Sequence, residues 1–336
     1  MRGAHLPTRR RRIRPKMAAE APAGRVERRD VDGILLLDKP PGMSSNRALQ
    51  RVKALFRARK AGHTGSLDPL ATGMLPICLG EATKVSGYLL DSDKSYRVCL
   101  AFGLATSTGD EEGATEARGI EQVSLEDLRA VLRTFAGPYL QVPPMYSALK
   151  VRGQPLYRLA RAGLRVERAA REVTIHGLDV EEYDPHRPVL GVRCSKGTYI
   201  RTLVEDIACR LGTVAHVLEL RRLAVSPFPV GTMVTLDRIE QLAATPGADL
   251  DALLIPADQA LATFPALRLQ APDVARLRQG RGLQSPGAAA GFVRLYGPDG
   301  LFLGIGEAAA DGSILSRRLW RIPSPDTGAK TGVTGP

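Results

Sequence analysis

The 336-residue chain is short of cysteine and of every arrangement that would make cysteine structural. Its four cysteines, Cys78, Cys99, Cys194 and Cys209, are scattered, and none forms a C-x-x-C pair. Zinc sites need closely paired thiolate or imidazole ligands, and the five histidines supply no partner pattern. Buried free thiols in a reducing compartment are the expectation, with no metal. No apolar run approaches the ~20 residues that cross a bilayer, and the N-terminus has no apolar h-region of a secretory signal. A soluble, cytoplasmic protein is expected, although an Arg-rich, acid-poor beginning is also compatible with an organelle transit peptide. The chain further lacks a phosphate-binding G-x-x-x-x-G-K-[ST], a strand-led G-x-G-x-x-G, an H-E-x-x-H and a G-x-S-x-G. The usual anchors of cofactor and hydrolytic enzymes are therefore missing, and no cofactor is expected.

What the chain does have is an ordinary globular composition, 44% hydrophobic and 24% charged, and length enough for one large domain plus a small one. Its net charge of +12 is unevenly placed. Residues 1–29 hold ten Lys/Arg against two Glu, whereas the remaining 307 hold 37 against 33. Most of the excess thus lies in an extension, residues 1–30, whose composition reads as disordered. Met17 offers a second start within it. Bulk charge is accordingly a weak argument for a nucleic-acid partner.

Order is expected to begin at GILLLDKPPGMSS (33–45), a buried strand followed by a Pro/Gly turn. Ser44 or Ser45 can cap the next helix, where Ala48, Val52, Leu55 and Phe56 share a face. Arg47, Arg51, Lys53, Arg57, Arg59 and Lys60 occupy the rest, either a solvated surface or one that faces phosphates. SYRVCLAFGL (95–104) alternates as a half-buried strand, with Tyr96, Val98, Leu100 and Phe102 inward. Ser124-Leu-Glu-Asp127 reads as a capping box for a helix burying Leu128, Val131, Leu132 and Phe135. LGVRCSKGTYIRTLVEDIACRLG (190–212) reads as strand, Lys-Gly turn and a helix burying Leu203, Val204, Ile207 and Leu211. Basic residues 143–172 look like a long excursion, 240–258 like a linker, 266–322 like a small β-rich domain and 323–336 like a disordered tail. Strands and helices mixed without a βαβ rhythm indicate an α+β fold with a mixed sheet.

The stretch GHTGSLDPLATGMLP (62–76) stands apart. Its glycines, prolines and hydroxyl residues are those of a surface loop, yet Leu67, Leu70, Met74 and Leu75 require it to pack down. A single carboxylate, Asp68, sits at its centre. An Asp-Pro can simply bond its own turn backbone; a carboxylate on a rigid loop can also serve as nucleophile or base. Spacing does not choose between them.

Six blocks, in order and with matching spacing over about 31–240, resemble the TruB family of tRNA pseudouridine synthases: GILLLDKPPGMSSN, GHTGSLDPLATGMLPICLGEATK, DKSYRVCLAFGLATSTGDEEG, PPMYSALKVRGQPLYRLAR, CSKGTYIRTL and AHVLELRRLAVSPF. The resemblance implies a catalytic domain over 31–255, with a mixed, mainly antiparallel sheet flanked by helices and a thumb-like RNA-binding insertion at 143–172. A small PUA-like domain at 256–322 would follow. It implies isomerisation of uridine 55 in the T loop of tRNA, without cofactor or metal, by a monomer that needs neither guide RNA nor protein partner. Accompanying tRNA-folding activity is compatible with it.

Site residues carry over from the same likeness. Asp68 matches the catalytic aspartate, acting as nucleophile or base, and Arg201 the arginine that pairs with it. Tyr96 matches the tyrosine that stacks on the target base. His63 would fill the space left by the everted base, and Leu220 would form an apolar wall of the uracil pocket. Tyr199 lies in the same GTYIRTL block as Arg201 and is expected at the substrate. Lys39 would stand near the site, on a phosphate or on the active-site loop. Lys150, Arg152, Arg158 and Arg161 of the thumb would meet RNA phosphates.

Overall fold

The computed structural model describes residues 27–321 apart from Pro286 and Ala288; most of the basic extension and the tail from 322 onward lie outside the described residues. Strand Gly33–Lys39 is apolar at nearly every position because it is covered on both faces. Leu35 and Leu37 enter one core, with Ala48, Val52, Phe56 and Ile239. Ile34 and Leu36 enter a second, with Met74, Val85, Leu89 and Leu261. Nine strands form the main sheet, in the spatial order Val234–Thr235, Gly33–Lys39, Thr72–Leu79, Ala215–Val225, Lys94–Phe102, Val189–Cys194, Arg171–Glu182, Gly137–Gln141, with Ala61–His63 paired to Thr72–Leu79. The first strand pairs in parallel with Val234–Thr235, and Thr72–Leu79 in parallel with Ala215–Val225. The other neighbours run antiparallel, so the sheet is mixed and mainly antiparallel.

The parallel contact at the middle is short, Arg221 to Thr72 and Arg222 to Gly73. Gly73 has φ +96°, and a Cβ there would lie 2.2 Å from the Arg222 carbonyl oxygen. Only glycine lets the two strands approach so closely. The alternation expected in Lys94–Phe102 is present, with Tyr96, Val98, Leu100 and Phe102 buried.

Helix Ser45–Leu55 starts at Ser44, whose hydroxyl accepts from the Arg47 amide. It buries Ala48, Leu49 and Val52, while Leu55 is only partly covered and Phe56 is buried just past the last turn. Helix Leu125–Arg133 is capped by Ser124 as expected and buries Leu128 and Leu132. Helix Ile200–Arg210 buries Leu203, Val204 and Ile207, and Leu211 is partly buried. The insertion carries only a two-residue hairpin, Lys150–Val151 with Gln154–Pro155, and the short helix Leu156–Arg161.

Three expectations need correction. Residues 240–258 are not a free linker: helix Leu236–Ala244 buries Ile239, and Ile255 exchanges two 2.8 Å backbone hydrogen bonds with Ile34. The extension ends before residue 30, because Arg29 forms a bridge with Ala58 and a bidentate 2.6 Å pair with Asp251. The Ile34–Ile255 and Arg29–Asp251 contacts join residues 221 (255 − 34) and 222 positions apart in sequence, where periodicity carries no signal. The cysteines are free, but only Cys78 and Cys194 are buried; Cys99 is partly exposed and Cys209 exposed.

The small β-rich part is a five-stranded sheet ordered Ala266–Arg268, Gly291–Tyr296, Phe302–Ala308, Ser313–Leu319, Leu283–Gln284, with helix Ala271–Arg278 against it. It has its own core of Leu269, Leu277, Leu283, Val293, Leu295, Leu303 and Ile314. Ala257, Ala260 and Leu261 belong instead to the core beneath the first strand. Tyr88 meets Phe264 and Phe292 edge-on at 5.4 and 5.5 Å, and the Lys84 ammonium donates to the Leu319 carbonyl at 2.7 Å, fastening the two parts. No helix among the described residues is long and apolar enough to cross a membrane.

Candidate active site

The loop around Asp68 is fixed from three sides. Ser45, in the first turn of its helix, takes the Leu67 amide on its hydroxyl at 2.7 Å and donates back to the Leu67 carbonyl at 2.9 Å. The Thr64 amide donates to the Pro76 carbonyl at 3.1 Å and the Gly42 amide to the Pro69 carbonyl at 2.9 Å. Lys39 closes the third side. Its ammonium is wholly buried and donates to the carbonyls of Pro40, Met43 and Pro69 at 2.8, 2.7 and 3.2 Å. All three of its protons are used, and one of the three carbonyls, that of Pro69, belongs to the Asp68 loop. Burial lowers its pKa to about 8.

Asp68 is not an acid bonded to its own turn. The Ala71 amide closes the turn on the Asp68 carbonyl at 3.1 Å, which leaves the carboxylate free to project, and Arg201 Nε meets its Oδ2 at 3.0 Å. Arg201 is 4% exposed and held on all sides. It donates to the carbonyls of Thr108 and Tyr146, and its Nη1 lies 3.5 Å from Asp110 Oδ2. One permanently charged, forked guanidinium thus orients two carboxylates. Burial pushes the Asp68 carboxyl above the usual aspartate range; Arg201 pulls it down, Asp110 pushes it up and Lys39 pulls it down.

Asp110 is 3% exposed, although in the sequence nothing sets it apart from the other acids of its GDEEG loop. The preceding Gly109 sits at φ +74°, and a Cβ there would come within 2.5 Å of Glu205 Oε1 and 3.4 Å of the Arg201 Cβ, a constraint visible only in the folded chain. A glycine required by packing marks a loop pressed against the site.

Asp68, Arg201, Tyr96, Tyr199 and Leu220 line one cleft of about 360 Å³, together with Lys94, Arg222 and residues 147–149 of the insertion. Tyr96 and Leu220 are 8% and 7% exposed and form its apolar walls. Burial pushes the Tyr96 phenol upward, so it is neutral and suited to stacking. Tyr199 caps the start of the Arg201 helix, and Gln141 fixes its backbone by donating to the Tyr199 carbonyl at 3.1 Å and accepting from its amide at 2.8 Å. His63 is not among the lining residues; it ends strand Ala61–His63, with a buried Nδ1 that has no partner. Burial and the Arg222 charge depress its pKa, keeping the ring neutral. Lys150, Arg152, Arg158 and Arg161 all stand exposed on the insertion, and none is among the residues that line the cleft. Of the basic row on the first helix, Arg51 pairs with Glu240 at 2.6 Å and Arg59 with Asp30 at 2.9 Å.

Comparison with known proteins then covers nearly all of the described chain. Residues 53–200 match the family described as TruB family pseudouridylate synthase (N terminal domain). Residues 201–262 match the tRNA pseudouridylate synthase B C-terminal domain, and 265–320 the family described as Pseudouridine synthase II TruB, C-terminal. The tRNA pseudouridine synthase B of Methylobacillus flagellatus is 50% identical over 88% of this chain and 97% of its own length. That of Stutzerimonas stutzeri is 52% identical over 88% and 97%. Among solved structures, a Cbf5-Nop10-Gar1 complex contains a similar chain, with a TM-score of 0.67 at 25% identity over 86% of this chain and 84% of that one.

Proposed function

The chain belongs to the TruB family of pseudouridylate synthases, and from that premise we propose that it converts uridine 55 in the T loop of tRNA to pseudouridine. The observation that carries the proposal is the Asp68 carboxylate, paired with Arg201 at 3.0 Å and open on its other side to a cleft walled by Tyr96 and Leu220. The cleft has room for one flipped nucleotide but not for a duplex.

In this reading the target uridine leaves the stack and its base lies on Tyr96. Asp68 acts at the ribose, as nucleophile on C1′ or as base, while Arg201 keeps the carboxylate ionised and aimed. The N-glycosidic bond breaks, the uracil turns between Tyr96 and Leu220, and C5 bonds to the same ribose carbon. Substrate and product are isomers, so no oxidant, nucleotide or metal is consumed. His63, at the entry to the loop, is assigned to the space the everted base leaves behind. Lys150, Arg152, Arg158 and Arg161 are assigned to phosphates of the T stem-loop, and the small C-terminal sheet to further RNA contact. A monomer acting without guide RNA is the form proposed, since the basic insertion supplies a direct grip on the stem-loop.

The test uses purified protein and an unmodified tRNA transcript, with pseudouridine mapped by carbodiimide-dependent primer-extension stops. A single new stop in the T loop, absent with Asp68→Asn, is the expected result. No stop despite tight tRNA binding would overturn the enzymatic reading and favour an RNA-folding role. A stop that needs an added guide RNA would overturn direct recognition.

A further inference from the structure

Among the described residues, the largest fully buried side chain is cationic. Arg222 is 1% exposed and lies at the centre of the main sheet, opposite Tyr96 on one side and Gly73 on the other. Its Nε donates to the Met74 carbonyl at 2.6 Å and its Nη2 to the Gly65 carbonyl at 3.1 Å. Gly65 belongs to the Asp68 loop, so Arg222 ties that loop to the strand that carries Leu220.

Its charge is the unusual feature. Arg201 is neutralised by Asp68 and Asp110, and the adjacent Arg221 by a bidentate pair with Asp38. Among the described residues no carboxylate lies within ion-pair distance of Arg222. A buried guanidinium facing carbonyl dipoles and the Tyr96 phenol, with no carboxylate, is costly to hold, and the cost falls when an anion joins it. Its field reaches Tyr96, His63, Lys39 and Lys94. The other cations at the cleft are committed: Lys94 donates to the Leu89, Leu90 and Ser92 carbonyls, and Lys39 to three carbonyls of its own. Arg222 has five N–H donors, and two serve these carbonyls.

The isomerisation makes an anion at this place. When the N-glycosidic bond breaks, its electron pair stays with the base, and the detached uracil is negative until C5 bonds to the ribose carbon. C5 then gives up its proton and N1 takes one, so the isomerisation balances without a co-reactant. We propose, on the footing of the uridine-isomerising function, that Arg222 is a positioning residue that also acts electrostatically. It fastens the Asp68 loop and presents its unneutralised charge to the detached uracil lying on Tyr96. Arg201 cannot serve both ends, because its charge is already shared by two carboxylates. Preorganised charge of this kind acts on the rate of the chemical step and leaves substrate affinity alone.

The test measures, in single turnover, the disappearance of the N-linked target nucleoside by mass spectrometry of digested RNA, together with tRNA affinity, for wild type, Arg222→Gln and Arg222→Lys. Two transcripts are used, one with uridine, which proceeds to pseudouridine, and one with 5-fluorouridine at the target, which has no C5 proton to lose and is followed only to the C5-linked fluorinated product. Fluorine stabilises the detached ring anion by itself, so less help is needed from the protein. Arg222→Gln is expected to slow the uridine reaction by about 10²-fold and the 5-fluorouridine reaction by about tenfold or less, with tRNA affinity within about threefold. Arg222→Lys, which displaces the charge without deleting it, is expected to show a smaller loss with the same bias toward uridine, and serves alone should the Gln variant not fold. Equal losses on the two substrates in the variants that fold would reduce Arg222 to scaffolding and overturn the inference. Failure of wild type to form pseudouridine would instead overturn the proposed function, and this inference with it.

Discussion

The cleft and the insertion at 143–172 are built by opposite rules. Around Asp68, two buried cations are over-determined: Arg201 meets two carboxylates and two carbonyls, and Lys39 spends three protons on three carbonyls. On the insertion, Lys150, Arg152, Arg158 and Arg161 stand exposed on a two-residue hairpin and a six-residue helix. Chemistry at one carbon needs fixed angles, which buried and fully bonded groups supply. A grip on a phosphate backbone needs charge that can adjust, and solvent screening makes each contact weak and salt-sensitive. Under the proposed function, the difference separates residues assigned to rate from residues assigned to affinity.

The largest effect that would sharpen this division is expected from Asp68→Asn, with turnover down at least about 10³-fold and tRNA affinity within about threefold; a parallel loss of binding would break it. Gly73→Ala comes next. A Cβ 2.2 Å from the Arg222 carbonyl must force the two strands apart, and a loss of roughly 3 kcal/mol or more in denaturant unfolding is expected.

Asp110→Asn should lower the rate about 10- to 100-fold by loosening Arg201, and its pH profile carries a sign. Asp110 pushes the Asp68 pKa up. Activity that needs ionised Asp68 falls as pH drops through that raised pKa, so removing Asp110's charge should move the acid limb to lower pH. A limb that stays or rises would show that Asp110 does not act on Asp68. Lys150→Ala with Arg152→Ala should leave the rate at saturating enzyme unchanged, while weakening tRNA affinity by a few-fold and reducing the salt slope by about 2. A fall in the saturated rate would place these residues with the chemistry. The smallest effect is expected from Arg29→Ala, which removes a half-exposed pair with Asp251 and should cost at most about 1 kcal/mol.

Much of this was legible in one dimension. Strict alternation in Lys94–Phe102 placed Tyr96 inward, and Ser44 and Ser124 marked helix starts that the structure keeps. The contradiction between turn-forming and apolar residues in 62–76 marked a packed loop holding one acid, and the resemblance supplied its partner Arg201. Each of the local signals is carried by period or by the needs of a turn within a few residues.

What the tertiary structure alone decided is how charge is shared. Arg222 reads in sequence as one of two arginines in ELRRL, yet Arg221 is paired with Asp38 and Arg222 is buried without an acid. That difference depends on carbonyls 148 and 157 residues away. Asp110 gains its role from an arginine on a distant helix, and Ile255 its place from a strand at the other end of the catalytic sequence. Secondary structure follows from neighbours along the chain, which a sequence displays. The neutralisation of a buried charge depends on which groups the fold brings within a few ångströms, and no spacing along the chain encodes that distance.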